Sequence, residues 1–289
     1  MVDNICITMR NENLIGVHTT FFATRDQLEF KLYRNGQIGL KMESLFIPYT
    51  ATTLLPSGPV LVLAPHPDDE VFGCGGAIMQ HVAQGNPVTV IIATDGSAAT
   101  THPDQQSLSN YIQTRQQESY HAAQILGYGN PEFLGITDRT LECSEALIQQ
   151  LFDYIQEKHI TQVYAPSLME IHPDHYALAM IAVEAVRRCG ESVSLAMYEI
   201  GAPLHPNVLL DITPFLKRKQ EAMACFVSQL AIQDYDRHIQ GLNIYRCYTL
   251  PKTVRAVEGF YAVDGATLQK PDKLFGRSRQ SDMSQNRIL

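Results

Sequence analysis

The sequence predicts an α/β fold: a parallel sheet with helices on both faces, preceded by a small antiparallel β extension. Three observations carry this prediction. From Val60 onward, short apolar runs alternate with segments of helical period, the βα order that builds a doubly wound parallel sheet. The first of these runs, Val60 to Ala64, is uncharged and rich in β-branched residues, as a strand buried on both faces requires. Residues 1 to 57 differ, with short β-prone stretches at Thr19 to Thr24, Leu28 to Tyr33 and Gln37 to Met42, and a hairpin turn signal at Asn35-Gly36.

Taken in order, Pro65 and Pro67 end the first strand and hold a stiff loop from which His66, Asp68 and Asp69 project. Gly73-Cys-Gly-Gly76 then lets the backbone turn into a helix from Ala77 to Gln84. Strands are expected at Val88 to Thr94, Glu132 to Leu134, Gln162 to Ala165 and Leu195 to Glu199. Helices fall between them at Leu108 to Leu126, Ala146 to Lys158 and Tyr176 to Arg188. A strand at Val208 to Ile212 and helices at Pro214 to Ser228 and Tyr235 to Gly241 close the domain, and Val257 to Val263 adds a late strand. The chain therefore reads as an N-terminal β-rich extension (1–57), a catalytic domain (58–269) and a polar tail (270–289). The extension packs on the sheet, covers the site, or builds an interface between copies of the chain.

Composition narrows the partners. A net charge of −8 and a sequence pI near 5.7 leave no basic stripe for nucleic acid. No segment approaches 18 apolar residues, and no basic region followed by a long apolar core opens the chain, so a cytoplasmic protein without an integral membrane segment is expected. Six cysteines scattered without a Cys-x-x-Cys pair favour reduced thiols. The glycines after the first strand do not spell G-x-G-x-x-G, and the loop is acidic, which argues against a dinucleotide.

The chemistry lies in two loops. His66-Pro-Asp-Asp-Glu70 leaves the first strand, and His172-Pro-Asp-His175 leaves the strand at Gln162 to Ala165, with Pro173 in the first turn of the next helix. Both loops open on one sheet edge. A catalytic zinc takes three protein ligands and keeps a position open for water, a count that His66, Asp69 and His175 satisfy. The same two-His, one-carboxylate set can hold ferrous iron. Asp68 is then free to take a proton, and His172 remains as a proton donor or oxyanion partner, with Asp174 placed to orient its ring and raise its pKa. The other histidines are expected elsewhere: His102 in a solvated loop or a lid, His81, His121 and His159 in structural positions, and His205 near the pocket only as an alternative. Cys74 is expected to pack.

Ala64-Pro-His-Pro-Asp-Asp-Glu70, Gly75-Gly76 and His172-Pro-Asp-His175 together resemble the LmbE-like, PIG-L-type family of zinc-dependent N-acetylglucosaminyl deacetylases. Thr94-Asp-Gly96, Arg115-Gln-Gln-Glu118, Phe133-Leu-Gly135, Tyr198-Glu-Ile-Gly201, Pro206-Asn207, Asp211-Ile-Thr213 and Ser228-Gln229 agree, so the likeness covers about residues 58 to 264. The resemblance implies a Rossmann-like sheet, zinc on His66, Asp69 and His175, Asp68 as general base and His172 as its electrostatic or acid partner. It also implies that Arg115 and Asp138 touch sugar hydroxyls, although Arg115 could instead form a helix pair with Glu118. The expected activity is removal of the acetyl group from an N-acetylated amino sugar or its conjugate. Cleavage of a thiol-conjugate amide, a ferrous oxygenase and a non-catalytic sugar-binding protein are the competing readings.

Overall fold

The computed structural model describes residues 5–9, 19–23 and 47–269. The chain divides into two compact units, 1–45 and 46–289. In the first, β1 (Ile5–Met9) and β2 (Thr19–Ala23) pair antiparallel, with Ile5 opposite Ala23. The stretches Leu28 to Tyr33 and Gln37 to Met42, the turn at Asn35-Gly36 and the tail from Lys270 lie outside the described residues.

The second unit is a seven-stranded sheet in the order β5-β4-β3-β6-β7-β9-β8. Its strands are β3 (Val60–Ala64), β4 (Val88–Thr94), β5 (Glu132–Ile136), β6 (Gln162–Pro166), β7 (Ser194–Tyr198), β8 (Val208–Asp211) and β9 (Val257–Asp264). β5, β4, β3, β6 and β7 run parallel, as the βα alternation predicts, and β9 joins both β7 and β8 antiparallel. The two edge pairings are antiparallel because β9 follows helices that return the chain to the same end of the sheet. Residues before β3 already belong to this sheet: Thr52 N donates to Leu209 O at 2.8 Å, and Asp211 N donates to Thr52 O at 2.9 Å.

Alternate residues of β3 serve opposite layers. Val60, Val62 and Ala64 pack with helices α1 (Asp69–Ala83), α2 (Gln105–Leu126), α5 (Leu216–Met223) and α7 (Tyr235–Tyr245). Leu61 and Leu63 pack with α3 (Glu145–Glu157), α4 (Pro173–Cys189) and α8 (Gly265–Leu268). The period-2 side-chain alternation of one apolar strand thus accounts for both cores. The segment expected as a single helix from Pro214 to Ser228 is broken into a 3₁₀ turn at Thr213–Phe215, α5, and the short α6 (Val227–Leu230).

α1 departs from expectation in an informative way. It starts at Asp69 rather than Ala77, because the glycine-rich stretch is itself helical, interrupted only at Cys74 (φ −144°, ψ 25°). Gly73 lies against the Tyr198 ring and Gly76 against Ile212 and Glu258, so a Cβ at either position would collide. The interruption frees backbone groups, and a fully buried ion pair takes them. Lys219 Nζ donates to Phe72 O (3.0 Å), Asn243 Oδ1 (3.2 Å) and Glu258 Oε1 (2.6 Å), while Glu258 accepts from Gly76 N (2.7 Å) and Ala77 N (2.8 Å). Buried backbone groups must find partners. The glycines therefore serve helix packing, and the loop that carries the acids is shortened to Pro65–Asp68.

Candidate metal centre

The strand order reverses at β3: β4 and β5 lie to one side and β6 and β7 to the other. Open α/β sheets bind ligands at such a switch point, beyond the carboxyl ends of the strands. β3 and β6 are hydrogen-bonded neighbours there, so the His66 and His172 loops emerge side by side.

His66 Nδ1, Asp69 Oδ2 and His175 Nε2 form a nearly equilateral triangle with edges of 3.1, 3.2 and 3.2 Å. Tetrahedral ligands about 2.0–2.1 Å from a zinc ion stand about 3.3 Å apart, so the three atoms are spaced as one ion requires. The Asp69 and His175 side chains are buried and that of His66 is half-buried. Burial opposes charge on both rings, yet their carboxylate neighbours win: His66 is raised by Asp138, Asp174 and Asp69, and His175 is raised to about 9 by Asp69 and Glu170. Burial likewise opposes charge on Asp69, but His175 and His66 hold its carboxyl well below the usual range. The surroundings favour positive charge at this point, which a divalent ion would supply while leaving both rings neutral to ligate. Among the described residues, His66, His172 and His175 also bring ligand atoms within 4.8 Å of one another, as do His66, Asp138, His172 and Asp174. The second set uses the other face of the His66 ring: Nε2 lies 3.3 Å from both Asp138 Oδ1 and Asp174 Oδ2. That is the arrangement of carboxylates behind a metal-bound imidazole.

Asp68 adjoins the triangle in a backbone conformation (φ 139°, ψ −32°) that L residues rarely adopt. Its amide donates to Glu70 Oε2 at 3.0 Å, and its Oδ2 accepts from Arg115 Nη2 at 3.2 Å. Burial pushes the Asp68 carboxyl up to about 7, with Arg115 pulling the other way and Asp69 adding to the rise. Glu70 is pushed up to about 8 by burial and by Asp68.

Three sequence expectations change with this geometry. Arg115 is 2% exposed, and its guanidinium is committed to Gly96 O, Pro67 O and Asp68. It faces Asp68 and the loop that carries it. It does not pair with Glu118, whose carboxylate accepts from Ser228 N (2.7 Å) and Ser228 Oγ (2.6 Å). Asp138 is buried as well, accepting from Ala98 N at 2.9 Å beside His66, which lowers its carboxyl to about 2 against the opposing effect of burial. Asp174 orients His172 through its backbone, donating from N to His172 Nδ1 at 3.2 Å, while its carboxylate accepts from Arg139 N (2.7 Å) and Leu141 N (3.3 Å). His172 is lowered, by burial and by the neighbouring His66 and His175 rings, against the pull of Asp174 and Asp138. A ring that accepts at Nδ1 carries its proton on Nε2 when neutral.

The remaining histidines are plain to place. His102 holds its loop, with Nε2 at 2.9 Å from Ser97 O and its ring 4.9 Å from that of Tyr111. His81 is buried against the Tyr164 hydroxyl at 3.0 Å, and His121, His159 and His205 are exposed. Cys74 is buried, and Cys74, Cys143, Cys189, Cys225 and Cys247 are free thiols. No helix among the described residues is long and apolar enough to cross a membrane. Two contributors were given no role by the sequence, although Asp95 lies in the Thr94-Asp-Gly96 landmark. Asp95, whose Oδ1 accepts from Ser97 N and Asp138 N, is a lone acid in a turn; Glu170 is one more acid before the second motif.

Residues 61–186 match the family model described as PIG-L, GlcNAc-PI de-N-acetylase. Over that segment, less than half of its length, the chain resembles the PIG-L (LmbE-like) family, and its relatives named as deacetylases support an amide-hydrolysing enzyme. It is 26% identical over 186 residues to a Bacillus anthracis protein described as "Probable N-acetyl-alpha-D-glucosaminyl L-malate deacetylase 2", covering 60% of this chain and 81% of that one. It is also 26% identical over 200 residues to the 4-oxalmesaconate hydratase of Pseudomonas putida, covering 62% and 77%. The fold matches that of N,N'-diacetylchitobiose deacetylase from Pyrococcus horikoshii with a TM-score of 0.66 at 23% identity, over 81% of this chain and 96% of the other.

Proposed function

We propose that the chain is a metal-dependent deacetylase that hydrolyses the acetamide of an N-acetylglucosamine-type sugar or its conjugate. The observation that carries this reading is the His66, Asp69 and His175 triangle with the buried, strained Asp68 beside it. Those three residues would hold zinc, or ferrous iron, by the same donor set. Bound there, the ion would supply Lewis acidity to polarise the acetyl carbonyl and acidify water. The protein side of the reaction follows from the named groups. Asp68 takes the proton of the attacking water and returns it to the amine nitrogen as the C–N bond breaks, releasing acetate and the free amino sugar. A carboxyl held near 7 suits a group that must both accept and release a proton close to neutrality. His172 presents Nε2–H to the tetrahedral oxyanion as a neutral donor, because Asp174 N occupies its other nitrogen. Asp138 and the Asp174 carboxylate hold the His66 ring from behind.

The names of the family and of the Bacillus anthracis relative support the sugar acetamide as substrate. The Pseudomonas putida hydratase motivates a second reading, in which the same centre adds water across a carbon–carbon double bond. Product analysis separates them. Zinc-loaded protein, offered a panel of N-acetylglucosamine conjugates, is expected to release one acetate per free amine formed. Turnover of an unsaturated tricarboxylate with no acetate from any N-acetyl sugar would replace the first reading with the second. A thiol-conjugate amide cleaved in preference to every acetamide would keep the centre and change the substrate.

A further inference from the structure

Glu170 lies two residues before His172, between Met169 and Ile171, which are both exposed, yet its own side chain is fully buried. Three successive backbone amides of the stretch after β7 point at its carboxylate: Ile200 N at 2.7 Å, Gly201 N at 3.0 Å and Ala202 N at 3.4 Å. On its other side, Glu170 Oε2 stands 3.2 Å from His175 Nδ1, a close approach outside hydrogen-bond geometry, and that buried nitrogen has no hydrogen-bond partner. The opposite nitrogen of the ring, Nε2, is the corner of the triangle with His66 and Asp69.

We propose that Glu170 is the positioning residue of His175: it fixes the imidazole proton on Nδ1, leaves the Nε2 lone pair free for a divalent cation, and ties that ring to the loop Ile200–Ala202. This rests on reading His175 as a metal ligand. A neutral imidazole has one donor and one acceptor nitrogen, so an acceptor placed at Nδ1 selects the tautomer that can ligate through Nε2. Carboxylates commonly hold ligating histidines in this way, and their loss weakens metal binding 10- to 100-fold. What distinguishes this one is its anchoring. The amides of residues 200–202 fix the carboxylate, so the rigidity of the stretch beyond β7 is passed to the metal corner. That stretch is itself fastened by Glu199, which accepts from Leu204 N and pairs with the buried Arg246.

The test is zinc affinity, measured on the folded full-length chain by competition with a chelator, for wild type, Glu170→Gln, Glu170→Ala and His175→Ala, with thermal unfolding of the metal-free proteins alongside. Glu170→Ala is expected to weaken zinc binding 10- to 100-fold and Glu170→Gln, which keeps an acceptor oxygen, to recover part of the loss. His175→Ala is expected to lose tight binding altogether. If both Glu170 variants bind zinc within twofold of wild type while His175→Ala does not bind, Glu170 is only a loop anchor and the inference is overturned. If His175→Ala binds zinc as wild type does, the ligand reading beneath it is overturned instead. Should Glu170→Ala fail to fold, Glu170→Gln carries the comparison, because a loop anchor predicts unchanged affinity there and a positioning residue predicts a measurable loss.

Discussion

Asp68 shows how much of the site is set by single residues. Its positive φ costs on the order of 1–3 kcal/mol, which persists only where the surroundings over-determine it. Here they do: Glu70 takes its amide, Arg115 takes its carboxylate, and Pro67 on one side and Asp69 on the other are fixed by the loop and the metal triangle. Arg115 therefore acts on the geometry of Asp68, the base of the proposed reaction. Arg115→Met is expected to lower kcat about 10- to 100-fold with KM within a few-fold of wild type, since misplacing a reacting group affects the chemical step more than binding. A rise in KM with kcat unchanged would return Arg115 to the sugar-contact role suggested by family resemblance. The sequence made the residues of this centre legible because both motifs crowd donor atoms onto short proline-braced loops. Which carboxylate serves which ring was not legible. Asp138 and Asp174 both reach His66 across more than seventy residues of chain, and nothing in their spacing to His66 encodes that meeting.

At the scale of an element, α1 carries the acids at its start and is held by the sheet along its length. His81, in its last turn, is buried against Tyr164 of β6, and burial lowers its pKa from 6.5 to about 4. The folded state thus keeps this ring neutral while the unfolded chain protonates it near 6.5. Below that pH the unfolded state binds more protons, so stability is full above about 6.5 and falls as pH drops toward 4, by on the order of 3 kcal/mol. Denaturant unfolding at pH 7, 5.5 and 4 measures this, and His81→Gln is expected to flatten the difference between pH 7 and pH 4. An unchanged pH dependence in that variant would assign the loss to other groups. The start of α1 was misplaced in the sequence reading because glycine lowers helix propensity. Tertiary contact overrides that preference: Tyr198 and Ile212 need the space that Gly73 and Gly76 leave.

Over the whole molecule, the apolar alternation of β3 and the βα order made the parallel part of the sheet readable, whereas the antiparallel insertion of β9 between β7 and β8 was not, since its pairing depends on the path of α5 to α7. The fold places the switch point between β3 and β6, and the two motifs occupy the loops that leave those strands. The account's central claim is that this junction is a hydrolytic metal centre in which Asp68 moves the proton and does not hold the ion. The most direct measurement is acetate release by zinc-loaded Asp68→Asn, with metal content determined on the same sample. Zinc retained at wild-type stoichiometry with turnover reduced about 10²- to 10⁴-fold is the predicted result, the range that a positioned acid/base group contributes. Turnover near the wild-type rate, or loss of the zinc together with the activity, would contradict it.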